Sequence, residues 1–170
     1  MNIKNTSFYS PLIILFSLVL FRIIPHPPNF TPIIAFAVIS AYFFNNRVLA
    51  FFILALSLII SDFIIGFYDG FVFNYIILFF LLFTSKILFK NLNFKSVTIL
   101  SLYGSTTFFV ISNFMVWLNS GMYQHTLDGL LFCYTNAIPF YGNTLISTFF
   151  YSYLLLLFDV TMKKYEFISR

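Results

Sequence analysis

Residues 48–67 read VLAFFILALSLIISDFIIGF, a run of 20 residues in which Asp62 is the only charge. At about 1.5 Å per residue, a helix of this length matches the ~30 Å hydrocarbon core of a bilayer. The sequence therefore predicts an all-α fold, a polytopic membrane helical bundle of six transmembrane helices in a single integral membrane domain, residues 1–170. The predicted spans are about 8–24, 32–44, 48–67, 71–89, 96–118 and 144–160.

The composition of the chain supports a membrane environment. Of its 170 residues, 61% are hydrophobic and 8% are charged, whereas soluble domains carry about 25% charged residues. The net charge is +4, but the basic residues are scattered at segment ends and form no basic patch or nucleic-acid-binding motif. We therefore expect the lipid bilayer, and not a nucleic acid, as a partner.

The basic residues also predict the orientation. With six spans and the N-terminus inside, eight of the nine basic residues lie on the inner side and only Arg22 lies on the outer side. A five-span alternative would place five basic residues inside and four outside. The positive-inside rule favours six spans in a bacterial cytoplasmic (inner) membrane, with both termini cytoplasmic. If the short second span were a re-entrant segment, both the number of spans and the side of the membrane assigned to each later loop would change. The eight inner basic residues are Lys4, Arg47, Lys86, Lys90, Lys95, Lys163, Lys164 and Arg170.

The chemically unusual residues cluster on the outer side, in segments 22–32, 61–70 and 119–143. These segments hold both histidines and the single cysteine, with the only tryptophan beside them. The middle of the third segment, 127–137, predicts an interfacial or re-entrant helix that is broken at Pro139. One-sided clustering of this kind predicts a small-molecule site at the outer helix ends. The candidate ligand-binding residues are His26, Asn29, Asp62, Trp117, Tyr134 and Cys133.

Each candidate also has a structural explanation. An acid costs about 2.5–3.5 kcal/mol at the bilayer centre, so Asp62 either binds a ligand or cation, caps a helix, or pairs with Arg22. Asn29 follows two prolines and either orients a ligand or forms a turn. His26 either ligates a metal or titrates, or it is a solvated loop residue.

Trp117, Tyr134 and Cys133 have similar alternatives. The two aromatic residues either anchor the chain in an interfacial belt or line an apolar pocket. Cys133 either ligates a soft metal or packs as an inert side chain. As the only cysteine, it cannot form an internal disulfide.

No catalytic motif is present, since the chain lacks GxxxxGK[ST], HExxH and GxSxG. We therefore expect no enzyme, assign no catalytic or metal-ligating residues, and leave the cofactor unknown. One alternative is a membrane enzyme that uses His26, His125 and an acid. Another is a non-catalytic subunit or scaffold whose small residues, Ala37 and Ala41, pack within the chain or bind a partner.

The strings RIIPHPPNFTPIIAFAV (22–38), LIISDFIIGF (58–67) and GLLFCYTNAIPFYGNTL (129–145) resemble a family of uncharacterised small bacterial membrane proteins with a domain of unknown function. That resemblance covers roughly residues 22–158. More distantly, the chain is similar to the S components of energy-coupling-factor vitamin transporters. These bind a vitamin beneath outer loops and dock to a transmembrane partner subunit.

The S-component resemblance implies an S-component-like bundle with a small-molecule ligand and a possible partner subunit. One departure is that S components usually carry the docking alanines in the first helix, whereas Ala37 and Ala41 lie in the second predicted span. One S-component-like group carries cobalamin and uses a cysteine toward cobalt, which makes Cys133 a candidate for that role. We therefore expect a membrane transport protein that binds a vitamin or cofactor precursor, cobalamin among them, from the outer side.

Overall fold

The computed structural model describes the backbone of residues 6–44 and 46–168, and the side chains of residues 11–44 and 46–161. Within these ranges the chain is all-α and contains no strand. The first five helices begin and end within two residues of the predicted spans. The six helices are α1 (Thr6–Ile23), α2 (Ile33–Phe43), α3 (Arg47–Ile65), α4 (Phe71–Leu88), α5 (Phe94–Asn119) and α6 (Leu127–Ile168).

The predicted break at Pro139 is wrong, because α6 continues through this residue as a single helix. A proline inside a helix removes one backbone hydrogen bond and costs about 3 kcal/mol. Contacts with α5 on both sides of the proline offset that cost. Tyr134 donates to the carbonyl of Val110 at 2.6 Å, and the hydroxyls of Tyr141 and Thr106 lie 2.8 Å apart.

Local capping sets several helix ends. The Asn46 side chain accepts from the backbone N–H groups of Val48 and Leu49 and begins α3. Asn93 and Ser96 form a reciprocal capping box at the start of α5. The α3–α4 connection begins at Gly66, whose φ of 107° suits a residue without a Cβ.

Helix α2 lies at the centre of the bundle, where it contacts α3, α4, α5 and α6. All of its residues from Ile33 to Ala41 are buried. Gly104 of α5 allows close approach, since a Cβ there would lie 2.8 Å from Val38. Ala37 and Ala41 are fully buried. This confirms that the small-residue pair packs within the chain.

Four helices, α3 to α6, are long and apolar enough to cross a membrane. The two shorter apolar helices are α2 and the part of α1 with described side chains, Pro11–Ile23. At 11 residues, α2 is only about 16 Å long and does not cross a ~30 Å core by itself. The structure is thus consistent with a helical membrane bundle.

The distribution of side chains also suits a bilayer. Large apolar residues such as Phe63, Ile87 and Phe94 are strongly exposed, whereas Ser57 and Ser85 are fully buried. A lipid environment accepts the apolar exterior. The buried hydroxyls of these two serines donate to backbone carbonyls of their own helices.

One end of the bundle collects basic residues. The Tyr42 hydroxyl lies 2.9 Å from the Ser85 carbonyl and 2.8 Å from the Phe89 carbonyl, and it can donate to either, which brings the C-terminal ends of α2 and α4 together. Lys86 lies 5.9 Å from the centre of the Tyr42 ring. By chain connectivity Arg47, Lys90 and Lys95 lie at this end, and Arg22 lies at the other. The remaining basic residues that are predicted to lie inside, Lys4, Lys163, Lys164 and Arg170, fall outside the described side chains.

Candidate functional site

The site is built around a buried ion pair between α1 and α3. Arg22, in the last turn of α1, contacts Asp62 near the end of α3 at 2.6 Å. The Asp62 side chain is 1% exposed and that of Arg22 is 15% exposed. The pairing of these residues, one of the alternatives for Asp62, is confirmed. A buried acid needs such a partner, because an uncompensated buried charge is strongly destabilising.

The ion pair is completed by hydroxyl and carbonyl groups. The Arg22 guanidinium donates to Ser61 Oγ at 2.5 Å and to the Leu58 carbonyl at 3.4 Å. The second oxygen of Asp62 accepts from the Tyr75 hydroxyl at 2.5 Å. Tyr75 belongs to α4, so one carboxylate ties three helices together.

Arg22 forms part of the wall of a cleft of about 360 Å³. This volume lies at the low end of the range for small-molecule sites, about 300–1,000 Å³. Polar and apolar side chains both line the cleft, as is usual for sites that orient an organic ligand. The polar set is Arg22, His26, Asn29, Thr31, Tyr68, Asn74 and Tyr75. The apolar set is Ile33, Ile34, Leu58, Ile65, Leu78 and Phe108.

The α1–α2 loop closes one side of the cleft through a tight turn. Phe30 N–H donates to the Pro27 carbonyl at 3.0 Å, and Asn29 has a φ of 62°. A positive φ at the third turn position suits asparagine. The turn alternative for Asn29 is therefore confirmed, and this residue also lines the cleft. Ser147 of α6 donates to the Asn29 carbonyl at 3.2 Å and anchors the loop.

A second hollow, of about 570 Å³, lies beside the cleft. The α3–α4 connection and the C-terminal part of α5 line it, including Asp69 and Asn119. Asn74 borders both spaces and donates to the Tyr68 hydroxyl at 3.0 Å. Parts of the three segments predicted to share one side of the membrane therefore border these two spaces, at one end of the bundle.

The predicted site residues divide into two groups. His26 and Asn29 line the cleft, and Asp62 lies behind its wall, bonded to Arg22 and Tyr75. Trp117, Tyr134 and Cys133 do not line it.

The second group instead ties α5 to the chain that follows it. Trp117 donates to the Gln124 carbonyl at 2.9 Å, and Tyr134 bonds to Val110 across the helix pair. Cys133 is buried, with its sulfur 3.4 Å from the Asn113 carbonyl.

The two histidines lie in different places. His26 is at the cleft, whereas the His125 ring packs on Trp117 at a centroid distance of 5.4 Å in the α5–α6 loop. Among the described residues, no group of three or more His, Cys, Asp or Glu side chains is arranged to hold a metal. The alternative of a membrane enzyme that uses His26, His125 and an acid stays a prediction.

Sequence reasoning missed several cleft residues, namely Tyr68, Asn74, Tyr75 and Phe108. Asn74 carried a usable signal, because an amide in the apolar run 71–89 is unusual. Phe108 carried none, since it is one of 27 phenylalanines.

A protein-family model described as a family of unknown function (DUF6580) matches residues 2–168. No curated protein and no solved structure matches the chain.

Proposed function

We propose that this chain, which belongs to DUF6580, a family of unknown function, is a membrane transport component. Its cleft would capture a small molecule from the outer side. The observation that carries this proposal is a cleft of ligand size at one end of an apolar bundle, with a fixed ion pair in its wall. Costly intramembrane charges commonly mark ligand or ion sites.

The orientation supports capture from outside. The cleft is at the end of the bundle with Arg22, away from Arg47, Lys86, Lys90 and Lys95. The positive-inside rule favours the lysine-rich end as the cytoplasmic one. We propose six membrane-spanning segments in the bacterial inner membrane, with α2 and its preceding loop together forming the second.

The cleft volume favours a vitamin or cofactor precursor of modest size. A space of about 360 Å³ suits a small ring system better than a corrinoid macrocycle such as cobalamin. The position of Cys133, buried against Asn113 and away from the cleft lining, also disfavours a cysteine-to-cobalt contact there. As in S components, a transmembrane partner subunit would supply energy. Its docking surface would not be the buried pair Ala37 and Ala41.

Native mass spectrometry of the full-length purified protein tests the proposal with a matched pair of variants. Ile65 and Ile64 are neighbours on α3 and are 55% and 57% exposed, but only Ile65 lines the cleft. The native protein should carry a co-purified small molecule. Ile65→Trp should lose it by filling the cleft, and Ile64→Trp should retain it. A molecule retained equally by both variants, or none in the native protein, contradicts the proposal.

A further inference from the structure

The guanidinium of Arg22 is only partly used by the protein. A guanidinium carries five N–H donors, and among the described residues Arg22 makes three hydrogen bonds, to Leu58, Ser61 and Asp62. By subtraction the Nε–H and one Nη2–H are left, and Arg22 is one of the residues that line the cleft. Paired N–H groups on a planar guanidinium match the oxygens of a carboxylate.

The charge in the cleft wall is asymmetric. The negative member of the ion pair, Asp62, is 1% exposed, whereas the positive member, Arg22, is 15% exposed and borders the space. Among the described residues the lining contains no Asp or Glu, and His26 adds an imidazole to it. A cationic ligand would find no carboxylate here, whereas an anion would meet the positive end of the pair.

The magnitude of the charge points to a single negative charge on the ligand. Asp62 already compensates part of the charge of Arg22 at 2.6 Å. Arg22 is the only Arg or Lys among the described residues of the lining. Because the Arg22–Asp62 pair is formally neutral, a bound monocarboxylate adds one uncompensated negative charge and a doubly charged phosphate adds two, and a low-dielectric site penalises the second more strongly.

We infer that the molecule captured in the cleft is a small monocarboxylate whose carboxylate accepts hydrogen bonds from the two remaining Arg22 donors. The inference rests on the proposed function. The apolar body of the ligand packs against Ile34, Leu78 and Phe108, and Asn74 contributes an amide that can donate or accept. Asp62 acts as a positioning residue that holds the guanidinium in place.

Matched acids and amides test the charge requirement. Benzoate with benzamide, and nicotinate with nicotinamide, are titrated into the full-length protein in detergent, and binding is followed by native mass spectrometry. Each acid should bind about tenfold more tightly than its amide, because hydrogen bonds to charged groups are the stronger ones. In Arg22→Gln/Asp62→Asn, which keeps polar groups but removes both charges, this preference should disappear.

The molecule extracted from the native protein provides an independent readout that does not depend on the variant folding. A carboxylate in that molecule supports the inference. A neutral, cationic or phosphorylated molecule, or amides that bind as well as acids, overturns it but leaves the proposed function standing. Acid preference that persists in a folded double variant also overturns it. A native protein that holds no molecule contradicts the inference and the proposed function together.

Discussion

Replacing Asp62 by alanine should destabilise the bundle strongly. The substitution leaves Arg22, which is 15% exposed, without the carboxylate 2.6 Å away. At an effective dielectric constant of about 20, the lost attraction is about 6 kcal/mol before desolvation is considered. Breaking one partner of a buried pair costs about 3–5 kcal/mol in practice. The Tyr75 hydroxyl also loses its acceptor, which adds about 1 kcal/mol.

Thermal unfolding in detergent, followed by tryptophan fluorescence or light scattering, measures this effect. For a chain of this size, a loss of about 4 kcal/mol lowers the Tm by roughly 8–16 °C. The double variant Arg22→Met/Asp62→Leu should recover much of the loss, because no lone buried charge remains. Asp69→Ala, which removes an exposed acid from the α3–α4 connection, is the control and should change stability by about 0.5 kcal/mol or less.

The decisive quantity is the coupling free energy between Arg22 and Asp62, which a double-mutant cycle measures. If the double variant is destabilised by the sum of the Arg22→Met and Asp62→Leu effects, the residues act independently, and the ion-pair reasoning is refuted. A Tm for Asp62→Ala equal to that of Asp69→Ala would refute it as well.

Three further predictions follow from individual positions. Gly104→Ala should lower the free energy of unfolding by about 1–3 kcal/mol through overpacking against Val38. Gly142→Ala, with no atom within 4 Å of its added Cβ, should be neutral or stabilising, and equal Tm values for the two would contradict the close α2–α5 contact. Asn29→Ala should cost about 1–2 kcal/mol more than Asn29→Gly, because alanine resists a φ of 62°, and urea or SDS unfolding distinguishes them. Cys133→Ala should retain the co-purified molecule in native mass spectra, since Cys133 does not line the cleft. Loss of the molecule from a folded variant would show that Cys133 contributes to binding.

The helical architecture was largely predictable because apolar runs separated by polar or proline-containing segments define helices directly. The failure at Pro139 shows the limit of this reasoning. The local backbone cost of proline is visible in the sequence, but the compensating contacts with α5 involve residues about 24 to 35 positions away. The same limit applies to α2. Its length alone gave no sign that the helix is buried on every side from Ile33 to Ala41.

The candidate site was predictable in part for a related reason. Arg22 and Asp62 were identifiable as a pair because isolated charges in apolar runs need partners. Trp117, Tyr134 and Cys133 share the chemistry of site residues and the same end of the fold, but chain position could not indicate that they bond along the α5–α6 pair. Tyr75 was hidden because its role depends on the packing of α4 against its neighbours.

The central claim is that the cleft beside Arg22 opens to the outside of the cell. A single cysteine at the cleft, His26→Cys in a Cys133→Ala background, tests it most directly when intact cells are treated with a membrane-impermeant maleimide. Lys90→Cys in the same background, at the α4–α5 connection, is the control for the opposite end. We expect labelling at position 26 in intact cells and labelling at position 90 only after the membrane is permeabilised. The reverse pattern would contradict it.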